Sequence, residues 1–251
     1  MPTYNDYGII LSTNDLAEAD KILNIYTKEN GLVRAIAKGA RKTSSRFLGK
    51  VDMLSCCYFH FAKGKNLDIV IDCSQINSFG LLRSDLTRLT TGILFLEIVD
   101  SFAYEMESES GHIYELLFSN LDALQGTKDP GLLSLKFILN FLDVHGYKPQ
   151  LDTCVACSKQ IKEDHDYCAY SSVLGGILCK ECTRLISHKL IGIGVLKVIR
   201  KCRMWNAECG MQDAECRMND RDIRLALDLL REHIDIRAKD KIKSFDLMFS
   251  L

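Results

Sequence analysis

The chain has 251 residues, 47% hydrophobic and 26% charged, which excludes a disordered protein and suits one large domain or two to three small ones. Its three prolines exclude a collagen-like or Pro-rich linker protein, and no run of 18 apolar residues is present to span a membrane. The formal net charge of −1 gives no general attraction to a polyanion, so any such attraction must come from how the charge is distributed.

The first 80 residues read as β. Short apolar or alternating runs lie at Tyr7–Leu11, Ile22–Tyr26, Val33–Lys38, Leu54–Phe61 and Leu67–Cys73. Gly31 and Gly64 fall between them, where turns tolerate glycine best. Five short strands in this length fit a small closed barrel. The five-stranded OB-fold is favoured, with an SH3-like barrel as the alternative. From about Leu82 the period becomes helical. Leu86, Leu89, Ile93, Leu96, Val99 and Ala103 form one stripe, and Ile113, Leu117, Leu121 and Leu124 a second. Asp129 and Pro130 read as N-cap and first residue of a third helix, with Gly146 as its C-terminal cap. A fourth helix is expected within Val195–Met204, and a fifth after a cap at Asn219 or Asp220, with Ile223, Leu227, Leu230 and Ile234 as its stripe.

Between the third and fourth helices stand Cys154-Val-Ala-Cys157 and, after 21 intervening residues, Cys179-Lys-Glu-Cys182. Each C-x2-C knuckle turns two thiolates to one side of a metal ion, and two knuckles close a tetrahedron. The expectation is one structural Zn²⁺ per chain. Four thiolates leave no open position at which water could be activated. The alternatives are two disulfides or four free thiols, with Cys168 or His165 as possible substitute ligands. A redox protein of the thioredoxin kind would carry a single such motif within a βαβ unit, and that pattern is absent. Cys56, Cys57 and Cys73 lie in strands and read as small buried hydrophobes. The sevenfold spacing of Cys202, Cys209 and Cys216 reads as coincidence, since no knuckle completes it. Eleven cysteines in a chain of this length, with an odd count, point to a reducing cytoplasm. Asp6, Asp15, Glu18, Asp20 and Glu29 interrupt any apolar leader in the first thirty residues.

Residues 34–50, RAIAKGARKTSSRFLGK, hold Arg34, Lys38, Arg41, Lys42, Arg46 and Lys50 and no acid. The other 234 residues sum to −7. Six uncompensated cations that start on a strand and continue into a Gly- and Ser-containing loop suit contact with phosphates. The other reading is a solvated loop. Tyr26, Phe47, Tyr58 and Phe59 could stack bases, although each alone reads as barrel core. Arg237, Lys239, Lys241 and Lys243 form a weaker basic stretch, diluted by Asp235 and Asp240. There is no Walker A loop, no H-E-x-x-H and no G-x-S-x-G, and Gly192-Ile-Gly194 lacks the rest of a dinucleotide fingerprint. Glu163, Asp164 and Asp166 lie together in one polar loop and read as solvated surface. No catalytic residue is expected, and the chain does not read as an enzyme.

The order of these parts resembles the bacterial recombination mediator RecO family. The likeness is carried by Tyr7-Gly8-Ile9-Ile10-Leu11 followed by Glu18-Ala19-Asp20-Lys21-Ile22-Leu23, and by the segment from Glu29-Asn30-Gly31 to Gly39-Ala40-Arg41-Lys42. Gly146-Tyr147, Gly175-Gly176-Ile177-Leu178-Cys179 and Lys243-Ser244 add to it. The resemblance implies an α+β protein: an N-terminal five-stranded OB-fold barrel at 1–80 that binds DNA, then an α-helical domain at 81–251 with an inserted four-cysteine zinc ribbon at 150–186. It implies a DNA-binding mediator of homologous-recombination repair that binds single- and double-stranded DNA and anneals complementary strands. Its partners would be RecR, the C-terminal tail of single-strand binding protein and, indirectly, RecA, with no membrane involved. Its place would be the bacterial cytoplasm, at the nucleoid. The competing reading of the same parts is a zinc-ribbon RNA-binding or transcription-associated adaptor.

Overall fold

The computed structural model describes residues 1–105, 107–161, 167–204 and 218–250. Five strands open the chain: β1 (Thr3–Leu16), β2 (Asp20–Thr27), β3 (Gly31–Ala37), β4 (Cys56–Ala62) and β5 (Asp68–Asn77). They close into a barrel in the order β1-β2-β3-β5-β4, with β4 returning to β1. All neighbours are antiparallel except β3 and β5, which pair in parallel through Ala35–Asp68 and Ile36–Ile69. This is the five-stranded OB arrangement expected from the sequence. Alternation explains the core: Val33, Ala35 and Ala37 of β3 point inward beside Ile10, Leu23, Ile25, Phe59, Phe61 and Val70. Strand β1 runs well beyond Tyr7–Leu11, with its register shifted between Ile10 and Ser12 by a bulge. Its two ends are polar, so no apolar run marks them.

A short 3-10 turn (Gly80–Ser84) leads into α1 (Leu86–Phe102), α2 (Ser110–Gly126) and α3 (Pro130–Val144). Asp85 caps α1 by accepting from the Arg88 N–H, and Asp129 caps α3 through the Leu132 N–H with Pro130 following, as expected. Gly146 has φ +73°, the left-handed conformation that ends a helix. The second half of the stripe expected for α1, Leu96, Val99 and Ala103, is buried, and the first half is not. Leu86 is exposed, Leu89 and Ile93 are half-buried, and Leu94, Phe95, Ile98, Val99 and Phe102 are buried, because the helix is apolar on nearly every side. Then follow β6 (Tyr167–Ser171), β7 (Gly176–Leu178) and β8 (Lys189–Gly192), a three-stranded antiparallel sheet in the order β7-β6-β8. The chain continues through α4 (Ile193–Met204), α5 (Asp220–Asp235, capped by Asn219) and α6 (Ser244–Ser250).

Contacts divide the chain into two compact units, Met1–Lys128 with Lys239–Leu251, and Asp129–Ala238. The division does not follow the change of periodicity near residue 80, since α1, α2 and α6 cluster with the barrel. In the first unit α6 packs on α1, where Glu97 accepts from the backbone N–H groups of Lys243 and Ser244 and from the Ser244 hydroxyl. In the second, α5 packs on α3 and α4. No helix among the described residues is long and apolar enough to cross a membrane.

Candidate nucleic-acid interface and metal centre

The segment from Lys38 to Ser55 joins β3 to β4 as a string of short turns, closed by hydrogen bonds such as Ala40 N–H to Ala37 O, Lys42 N–H to Gly39 O and Lys50 N–H to Phe47 O. Three apolar side chains fasten it. Ala40, Phe47 and Val51 are buried in the barrel core cluster. Its first turns are tied to the β1–β2 connection: Asp20 accepts from the Gly39 N–H at 2.7 Å, and Ala19 O accepts from the Arg41 N–H at 2.9 Å. Arg41, Lys42, Arg46 and Lys50 lie between these anchors, while Lys38 precedes them and Arg34 stands on β3. Arg34, Lys38, Arg41, Lys42 and Arg46 are exposed, and Lys50 is half-buried. Arg41 meets Asp15 at 3.3 Å with both groups largely in water, which leaves its charge weakly compensated. The other five make no ion pair among the described residues. Asp52, the acid within the loop, is taken by Lys21 at 2.7 Å.

Next to Arg34, a cleft of about 340 Å³ is lined by Tyr4, Lys63, Lys65, Asp68 and Glu105 among others. Lys63 and Lys65 lie in the β4–β5 turn and add two cations that a window ending at Lys50 misses. Asp68 is buried and engaged by the Tyr4 hydroxyl, the Gly64 N–H and Lys63, so it holds the turn together. Of the four aromatics that could stack bases, Tyr26, Phe47 and Phe59 are buried. Tyr58 is exposed and rests against Tyr7, a residue that the sequence places in a strand but not among the base-stacking candidates. In the weaker basic stretch, Arg237 donates to Ser172 O and His233 O, and Lys239 donates to Ala103 O and covers the Tyr104 ring, so both serve as structural ties.

The ribbon is built by pairing around the two knuckles. Gln150 N–H donates to Gly175 O, Ile177 N–H to Gln150 O, and Val155 N–H to Ile177 O, each at 2.9 Å. Gly175 has φ +77°, and a Cβ there would lie 2.8 Å from the Arg237 guanidinium. Lys159 bridges the knuckles through Glu181 at 2.8 Å. Cys154, Cys157, Cys179 and Cys182 place their four sulfurs within 4.8 Å of one another. The Cys157 and Cys179 sulfurs are 3.7 Å apart, and four thiolates about 2.3 Å from a central Zn²⁺ would stand about 3.8 Å apart. The thiols cannot all ionise by themselves. Burial raises Cys154, but the N–H groups of Cys179, Ala156 and Cys157 outweigh it and bring it to about 6. Cys182, facing the Cys179 and Cys157 sulfurs, is pushed up to about 12. A divalent cation at the centre removes that conflict. The residues therefore fit a metal ion held by four thiolates, beside a small apolar core of Cys154, Ala169 and Leu178 with Val155, Ile161 and Ile186 packed against it.

Cys168 lies on β6 outside this cluster, with its thiol raised to about 11 by burial. Cys56, Cys57 and Cys73 are buried, as expected, and Cys202 on α4 is buried as well. His165, Cys209, Cys216 and the acidic run Glu163, Asp164 and Asp166 lie outside the described residues.

Two family models cover most of the sequence. "Recombination protein O N terminal" matches residues 1–79, and "Recombination protein O C terminal" matches residues 83–245. Curated relatives named "DNA repair protein RecO" are similar along most of their length. That of Symbiobacterium thermophilum is 32% identical over 203 residues, 80% of each chain. That of Thermobifida fusca is 34% identical over 184 residues, 72% of this chain and 74% of its own. That of Dehalococcoides mccartyi is 32% identical over 193 residues, 77% of this chain and 75% of its own.

Proposed function

The chain belongs to the recombination protein O family, and from that premise we propose that it is a DNA-binding mediator of recombination repair whose phosphate-contacting surface is the basic segment Arg34, Lys38, Arg41, Lys42, Arg46 and Lys50. The observation that carries this reading is the segment's construction. Ala40, Phe47 and Val51 are sunk in the barrel, and between them stand cations with scarcely an acid partner. Six cations held on a rigid barrel meet a phosphate backbone without ordering a flexible tail first.

Annealing follows from the same surface. Two phosphate backbones repel each other, and a cationic face screens them while bases pair. Pairing supplies the free energy, so no nucleotide need be hydrolysed. In the cell this activity would act on strands coated by single-strand binding protein, through its C-terminal tail, with RecR as partner and loading of RecA as the outcome. Cys154, Cys157, Cys179 and Cys182 would hold one Zn²⁺ as thiolates, and that ion would supply a fixed cross-link with no open position for chemistry. The working domains would be the barrel at 1–80 and the helical part at 81–251 with its ribbon at 150–186.

The test is charge reversal at Arg41→Glu, Lys42→Glu and Arg46→Glu, read as affinity for single-stranded DNA across a salt series and as strand annealing with and without single-strand binding protein. Loss of three phosphate contacts should weaken binding at low salt and reduce the slope of log K against log salt by about 2. Annealing should fall in parallel. Unchanged affinity and slope in the triple variant would refute the assigned surface.

A further inference from the structure

The four sulfurs of the metal centre lie at unequal depths. Cys154 is 1% exposed, Cys179 and Cys182 are half-buried, and Cys157 stands open to water. Among the described residues Cys157 is the sole exposed cysteine. The thiols outside the cluster are shielded. Cys56, Cys57, Cys73 and Cys202 are buried, and burial raises the half-buried Cys168 to about 11.

Exposure and reactivity therefore meet at one sulfur. A thiolate, not a thiol, attacks an oxidant, and susceptibility follows thiolate character and access. A metal ion at the centre would hold all four sulfurs as thiolates. The closed site gives water no place on the ion, yet the outer side of the Cys157 sulfur stays open to a small molecule. The second thiolate that a disulfide needs is close by. Cys179 Sγ lies 3.7 Å from Cys157 Sγ, and the two belong to different knuckles. The Lys159–Glu181 ion pair at 2.8 Å spans the knuckles next to them, each partner two residues beyond one of the two cysteines, and so keeps the sulfurs together.

We propose that Cys157 and Cys179 are a peroxide-reactive pair, oxidised to a disulfide with release of the metal ion. The proposal rests on the four-thiolate metal centre assigned above. The Cys157 thiolate attacks one oxygen of hydrogen peroxide. An S–O bond forms, the O–O bond breaks and hydroxide leaves, which makes Cys157 a sulfenic acid. The Cys179 thiolate then attacks that sulfur. The S–S bond forms, the S–O bond breaks and a second hydroxide leaves. Two protons from solvent convert both hydroxides to water. The two sulfurs give up two electrons and the peroxide takes them. Cys154 and Cys182 remain as the only two thiolate donors, too few to retain the ion. A dithiol reductant reverses the exchange and rebuilds the four-thiolate set.

The experiment adds hydrogen peroxide to the zinc-loaded full chain, freed of reductant. Zinc is followed with a chromogenic chelator, disulfides by peptide mapping, and folding by the thermal midpoint. One zinc should leave per chain in step with a Cys157–Cys179 disulfide. Mapping assigns each bond, so Cys209 and Cys216, outside the described residues, do not enter the count. The midpoint should fall, and dithiothreitol with added zinc should restore it. Brief alkylation of the native protein with iodoacetamide should label Cys157 ahead of the other three ligands, a measurement that needs no variant. Cys168→Ser should release zinc as the parent does. Zinc retained through peroxide treatment, a first disulfide at any other pair, or a release that dithiothreitol and zinc do not reverse would each overturn the proposal and leave the metal centre standing. Protein that holds no zinc before peroxide is added would remove the metal centre and the proposal together.

Discussion

His233 lies 1% exposed between two partners. Its Nε2–H donates to Tyr147 O at 2.8 Å, which leaves Nδ1 to accept from the Tyr170 hydroxyl at 2.8 Å. Burial, helped by the Arg237 charge, pulls its pKa from 6.5 to about 4. The native ring therefore stays neutral while the unfolded ring takes a proton below about pH 6.5. Stability is lost as pH falls from 6.5 toward 4, by about 2 kcal/mol at pH 5. Chemical denaturation at pH 7.5 and pH 5.0 checks this. His233→Gln should be the less stable at pH 7.5, yet lose about 2 kcal/mol less than the parent on acidification. Equal losses would mean that His233 titrates normally in the native state. Nothing local in the sequence marks this residue, because its partners lie 63 and 86 positions away. Legibility at this scale is uneven in the barrel as well. Arg41 and Lys42 read correctly as surface, since charge alone keeps them in water. Tyr26 and Tyr58 are the same residue type, and only the fold separates the inward ring from the outward one.

Among the elements, α3 is legible to its ends, because Asp129, Pro130 and Gly146 each fix a local conformation. The strands β6, β7 and β8 are not, having five, three and four residues and no apolar alternation of their own. What shows instead is the spacing of the knuckles they carry. The four sulfurs are gathered by backbone pairing that a metal ion would complete, so metal removal should act on this element first. Freshly purified reduced protein should contain one zinc per chain by elemental analysis. Cys154→Ser or Cys179→Ser, or treatment with a strong chelator, should release it and lower the thermal midpoint by several degrees, since a closed four-thiolate site contributes directly to folding. A chain that carries no zinc when prepared reduced would contradict the assignment, and a midpoint insensitive to chelation would show the ribbon folds without it. Helix α6 also escapes a sequence reading. Its seven residues are too few for a periodic signal, and the carboxylate that caps it, Glu97, lies 146 positions before Lys243.

On the scale of the whole molecule, net charge is a poor guide to partner. Reversal of Arg41, Lys42 and Arg46 takes the formal charge from −1 to −7. A control with Lys148→Glu, Lys197→Glu and Arg221→Glu takes it to the same value through residues of the other unit. Were binding governed by total charge, both would fail alike. The local reading expects the control to bind DNA within about twofold of the parent at about 0.15 M salt, since it leaves every cation of the loop in place. The order of strands in the barrel is legible only as a class. The parallel β3–β5 contact that closes it joins two stretches about 30 residues apart, through Ala35–Asp68 and Ile36–Ile69, and no local pattern announces such a pairing. The division of the chain has a consequence for its synthesis. Residues 129–238 form one unit, while the barrel unit takes its last helix from residues 239–250. A ribosome adding about 5 to 20 residues per second spends roughly 5 to 20 s on the intervening stretch. The interior unit thus has all its residues before the barrel unit has its last helix, although the barrel strands themselves are synthesised first. During that interval the face of α1 awaiting α6 is uncovered on every nascent chain.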